Sequence, residues 1–195
     1  MNVALWWALA FSSDAPGEPC RPCHAALVDS YRKTGMGRSI EKPSLPRGDY
    51  YHRASNRHYR IEDGRLQRRQ VNAEGQPVNL HDAAIDLVIG SGNRARTLVH
   101  RTPQGRLMEL PVTRYAGYYA MSPGYDRPDH LDFRREITEK CLFCHSAGAS
   151  PAPIDCARCH GDVSGHLKKP ARGTILNPAR LPPARALDVC LQCHL

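Results

Sequence analysis

The chain repeats Cys-x-x-Cys-His four times, at Cys20 to His24, Cys141 to His145, Cys156 to His160 and Cys190 to His194. All 8 cysteines lie inside these copies. Two thiols at this spacing can bond both vinyl edges of one porphyrin, and the histidine that follows is then held against one face of the iron. Cys-x-x-Cys alone is less specific, since it also serves zinc sites, redox dithiols and disulfide frameworks. The fifth residue decides between them. Histidine accounts for 10 of 195 residues, so its chance recurrence after all the pairs has a probability on the order of 10⁻⁵. The pattern implies four covalently bound c-type haems. Cys20, Cys23, Cys141, Cys144, Cys156, Cys159, Cys190 and Cys193 would be the attachment points, and His24, His145, His160 and His194 the proximal ligands.

So many cofactors on one short chain shape the rest of the reading. Hydrophobic residues make up 41% of the chain and only 3 are Phe, so the macrocycles are expected to supply much of the buried apolar surface. The formal charge of +8 would ordinarily suggest an anionic partner. Haem propionates offset it, and a planar guanidinium suits a carboxylate. No basic stripe with interleaved aromatics is present, and nucleic acid is not an expected partner.

Covalent haem attachment takes place outside the bacterial cytoplasm, so the product is expected to be exported, periplasmic or extracellular. Val3 to Phe11 is an apolar run of signal-peptide length, although no Lys or Arg precedes it. It is too short to span a bilayer, and no integral membrane span is expected.

Residues 1–15 read as the signal segment, 16–48 as a first haem-binding segment, 49–121 as β structure and 122–195 as a three-haem segment. In the β part, His58 to Ile61 and Arg65 to Val71 flank Asp63-Gly64, a hairpin signal. Ala84 to Ile89 and Arg96 to His100 flank Gly90-Ser91-Gly92, and Arg106 to Leu110 follows Pro103-Gln104-Gly105. This predicts a small antiparallel meander of about four to six strands. Helices are predicted from Cys23 to Lys33, from a capping Asp132 through Ile137 to Cys141, and from Pro182-Pro183 through Leu187 to Cys193. The expected fold class is α+β and haem-dominated, with short helices carrying the motifs and the meander inserted between haem 1 and haem 2.

Six histidines remain for the second axial positions: His52, His58, His81, His100, His130 and His166. His166 follows the third motif across Gly161 and Gly165, which let the chain turn sharply. The neighbouring haem at Cys141–Cys144 is its expected target. His100 and His130 are further candidates, and His52 is preferred to His58. His81 beside Asp82 reads as a plain polar residue. A methionine would raise the potential; Met36, Met108 and Met121 are available, and Met108 alternates within a strand as a core residue does.

The segment Cys156 to His166 resembles the Cys-x-x-Cys-His-Gly-…-His element of multihaem cytochromes, in the group that includes the tetrahaem electron acceptor of hydroxylamine oxidoreductase. More of the chain resembles bacterial multihaem cytochromes that often precede tetratricopeptide repeats. The matching segments are Tyr31 to Ser39, Val88 to Asn93, Leu98 to Pro103, Met121 to His130 and Ile175 to Leu181. The resemblance implies His52, His100, His130 and His166 as distal ligands. The sequence ends at Leu195 without a repeat region, so a partner function housed in repeats is not expected.

These features lead to an exported tetrahaem electron carrier whose partners are redox proteins or other copies of itself, as in a head-to-tail filament. One rival is an oxidoreductase with one five-coordinate haem open to a small nitrogen or oxygen substrate. A second rival is a haem-bearing module of a larger repeat protein.

Overall fold

The computed structural model describes residues 15–146 and 151–194. The apolar run Val3 to Phe11 lies outside the described residues. Chain order gives β1 (Ile40–Glu41), β2 (Gly48–His52), β3 (Arg57–Glu62), β4 (Arg65–Val71), β5 (Pro77–Ala84), β6 (Leu87–Ile89), β7 (Ala95–Arg101), β8 (Leu107–Tyr115) and β9 (Tyr118–Met121). Helix α1 (Arg21–Tyr31) precedes them, and α2 (Glu139–His145), α3 (Ala157–His160), α4 (Ser164–Lys168) and α5 (Pro183–Leu191) follow.

The strands form two antiparallel sheets rather than one meander. A four-stranded sheet runs β2-β3-β4-β5, and a five-stranded sheet runs β1-β6-β7-β8-β9. The hairpin between β3 and β4 turns at Asp63 and Gly64, whose φ values of 49° and 70° are the left-handed pair that a two-residue turn needs. The chain changes sheets at a corner after β5. There the Ile85 N–H donates to Gly64 O, and the Asp86 N–H donates to Val99 O on β7.

Alternation sorts the side chains by face. Tyr59, Ile61, Leu66 and Ala83 of the first sheet meet Val88, Leu98, Leu110, Val112 and Met121 of the second in one buried cluster. The two sheets therefore sandwich an apolar core of side chains. The opposite face of the five-stranded sheet is also covered. Leu87, Ile89, Val99 and Leu107 pack there with Ile40 and with Leu142 of α2. Every residue of β8 from Leu107 to Thr113 is buried as a result.

The expectation of a haem-dominated α+β fold with a small inserted meander is overturned. The described residues are mainly antiparallel β structure in two sheets, with a few short helices. The β part has its own side-chain core, so cofactors are not needed to build it. Expected and observed β structure diverge most at β5, whose exposed edge position leaves no alternating pattern to read. The helix expected from Asp132 is also absent. Residues 135–137 instead lie along β8, where the Glu109 N–H donates to Arg135 O and the Ile137 N–H to Leu107 O. Helix α2 begins only after Thr138.

Candidate functional site

The Cys-x-x-Cys-His motifs all sit on or beside short helices. Motif 1 spans the start of α1, where His24 breaks the helical conformation (φ −125°, ψ 37°). Motif 2 occupies α2, which the buried Leu142 fixes to the outer face of the five-stranded sheet. Motif 3 is α3 with Cys156 before it, and motif 4 closes α5.

Hydrogen bonds draw the motifs into one layer. The Gly17 N–H donates to Asp155 Oδ2 at 2.8 Å, and the Tyr31 hydroxyl donates to Ile154 O at 2.8 Å. The Ile154 N–H in turn donates to Ser39 Oγ at 3.0 Å. Motif 3 is thereby fastened to motif 1. Arg158 donates to Phe143 O at 2.9 Å and to Ser146 O at 3.2 Å, which ties motif 3 to motif 2.

The thiols add motif 4 to this layer. Burial, then Asp155 and the adjacent Cys20, push the Cys156 pKa up to about 11. The Cys159 thiol is raised by burial and by Cys190, and the Cys193 thiol by burial and a hydrogen bond with Cys144. In space motif 1 borders motif 3, motif 3 borders motif 4, and motif 4 borders motif 2.

This arrangement sets His166 against motif 1. The rings of His24 and His166 are nearly parallel, at 16°, with centroids 6.4 Å apart. Sequence spacing pointed to the second motif instead. The contacts at Gly17, Tyr31 and Ser39 decide otherwise, because they carry the segment after motif 3 to the side of α1. His166 Nδ1 is 2.8 Å from Thr174 Oγ1, and His160 Nδ1 donates to Leu176 O at 2.7 Å. One loop therefore orients both rings. Such a bond fixes the ring and leaves Nε2 free for a metal.

The other expected distal ligands lie on the β sandwich. Among the described residues none of them makes a hydrogen bond, ion pair or ring contact with a motif residue. His100 of β7 donates from Nδ1 to Ala84 O at 3.0 Å, with Asp86 Oδ2 at 3.1 Å. His52 is buried, with Nδ1 2.8 Å from Ser55 Oγ. His130 is buried beside it, ring centroids 5.3 Å apart. His130 Nδ1 donates to Arg127 O at 2.5 Å, and Nε2 lies 2.7 Å from Asp132 Oδ1 and 3.0 Å from the Tyr59 hydroxyl. Both His130 nitrogens are thus engaged by neighbours within the sandwich. His58 stacks on Tyr51 at 4.3 Å, and His81 lies against Phe133 at 3.9 Å.

Sequence reading missed the charge cluster around His130. Asp132 sits between Arg57 (3.3 Å) and Arg68 (3.5 Å), and it also accepts from Tyr59 at 3.0 Å. No local pattern announces it, because Arg57 and Arg68 come from different strands and Asp132 from a loop.

Burial, then the neighbouring His130 and Arg57, hold the His52 pKa below that of a free histidine. The unfolded chain then binds a proton that the folded chain refuses. Stability is expected to fall as the pH drops through the unfolded histidine value of about 6.5 toward the lower folded one, and to level off below it. Urea midpoints at about pH 7.5 and about pH 5.5 measure this. Replacing His52 with Gln should flatten the difference; an equal slope in the variant would assign it elsewhere.

Among the described residues no three His, Cys, Asp or Glu side chains converge as a metal-ion site requires. No helix among them is long and apolar enough to cross a membrane. Comparison with protein-family models, with characterised proteins and with solved structures finds no match for this chain.

Proposed function

We propose that this chain is an exported tetrahaem c-type cytochrome that carries single electrons. The observation that supports this most directly is the His24–His166 pair. A metal-bound imidazole nitrogen lies about 2 Å from its metal, so two rings on opposite faces of one metal have centroids about 6 Å apart. The observed centroid separation of 6.4 Å matches that spacing. The residues therefore fit the group that the motifs call for.

Two further features agree. The motif layer leaves Leu27, Phe143, Leu167 and Leu187 exposed, at 70%, 50%, 45% and 56%. These side chains offer apolar surface to a macrocycle, and beyond Ile154 that part of the chain has almost no core of its own. A four-thiolate zinc site would need donors that converge, whereas an axial pair needs only two.

Bound haem iron supplies one-electron exchange. The motif cysteines would anchor each group, and His24 with His166 would hold one of them and keep small ligands off it. Thr174 and Leu176 fix the ring orientations. Motif 3 borders the other three motifs, so a group there would stand between them.

Expression in a bacterium equipped for c-type maturation is expected to give a red protein, with four haems per chain by pyridine haemochrome assay. Replacing both Cys20 and Cys23 with Ala should remove one of them. A colourless protein with stoichiometric zinc would sink the proposal.

A further inference from the structure

The outer face of the four-stranded sheet is open and concave, a groove of about 730 Å³. It lies on the far side of the sandwich from α2 and from the helices joined to α2. Strand register gives its floor two rows. Tyr51 of β2 faces His58 of β3, which faces Arg69 of β4; Asp49, Arg60, Gln67 and Asp82 form the second row.

The two rows differ in charge. In the second row Arg60 is shared between Asp49 at 3.4 Å and Glu62 at 3.5 Å, and Asp82 is held by Arg65 at 2.8 Å. In the first row the Arg69 side chain is exposed, with no ion pair or hydrogen bond among the described residues. The Tyr51 ring is 48% exposed, although His58 stacks on it at 4.3 Å.

A half-exposed aromatic ring and an unpaired guanidinium, two strands apart with His58 between them, suit a chain of rings that bear apolar C–H faces, hydroxyls and carboxylates. We propose that this groove binds an acidic oligosaccharide that runs across the strands, with one sugar against Tyr51 and the carboxylate of a neighbouring sugar on Arg69. Asp49 and Asp82 stand at the two edges of the sheet. Each is paired with an arginine and keeps acceptor oxygens for the hydroxyls of the sugar chain. The site is on the opposite face from the haem motifs, so it serves attachment rather than electron exchange, and it stands independently of haem binding.

Titration calorimetry on the full chain with hexagalacturonate tests this, with maltohexaose and a thymidine dodecamer as comparisons. Hexagalacturonate is expected to bind at least tenfold more tightly than either. Arg69→Ala and Tyr51→Ala should each weaken it at least tenfold with an unchanged far-UV circular dichroism spectrum. The proposal is overturned by no binding at millimolar hexagalacturonate, by affinities that survive both substitutions, or by tighter binding of the dodecamer or of maltohexaose.

Discussion

Replacing Asp132 with Ala is expected to destabilise the fold by about 3–5 kcal/mol, the cost of breaking a buried ion pair by removing one partner. The Asp132 side chain is 5% exposed, and its partners Arg57 and Arg68 are 16% and 17% exposed. Without the carboxylate, two guanidinium groups and the His130 ring are left facing one another with little water to screen them. The Tyr59 hydroxyl also loses its acceptor. Asp132→Asn keeps the shape and one acceptor oxygen while removing the charge, so it should fall between Ala and the native chain. A shift of the urea midpoint at unchanged slope is the readout. A loss below about 1 kcal/mol would mean that the cluster is already balanced by solvent.

The second large effect is expected at His166. If this ring completes the axial pair with His24, His166→Ala leaves one haem in four with an open position. Electron paramagnetic resonance of the oxidised protein should then gain a high-spin ferric signal that the native protein lacks. His166→Met should instead keep that haem low-spin and raise its potential, since a thioether favours the reduced iron. The same change at His130, whose nitrogens are bonded within the protein, should leave the haem spectra alone. A native protein already showing a high-spin signal would favour the rival reading of an open catalytic haem.

What could be read from the sequence follows the reach of each signal. The motifs are local, and so is the Asp63-Gly64 turn with the strands β3 and β4 on either side. Pro182-Pro183 opening α5 is equally local. Signals that depend on the rest of the molecule were not readable. Asp132 has the form of a helix cap, yet its carboxylate is drawn into contacts with Arg57 and Arg68 from two strands. Pro77, Asn79 and Leu80 do not spell a strand, because β5 takes its conformation from β4 alone at an exposed edge. The division into two sheets rests on a corner at Ile85 and Asp86, which nothing in the local sequence marks. At the candidate site the motifs and the candidate histidines were legible as residue types. The pairing of His166 with His24 was not, because it depends on contacts between residues 17–39 and 154–155.

The independent core of the sandwich bears on how the chain matures. The sheets bury Leu66, Leu98, Leu110 and Val112 without help from the motif layer, while all 8 cysteines are free and none is buried. The β layer can therefore form first and present the thiols for modification afterwards. That order carries a hazard, because the Cys20 and Cys156 thiols are near enough to influence each other, as are those of Cys144 and Cys193. Oxidation at that stage would staple motif to motif and consume the sulfurs meant for porphyrin. If the motifs take haem, the folded, unloaded chain needs reducing conditions until each pair has been claimed.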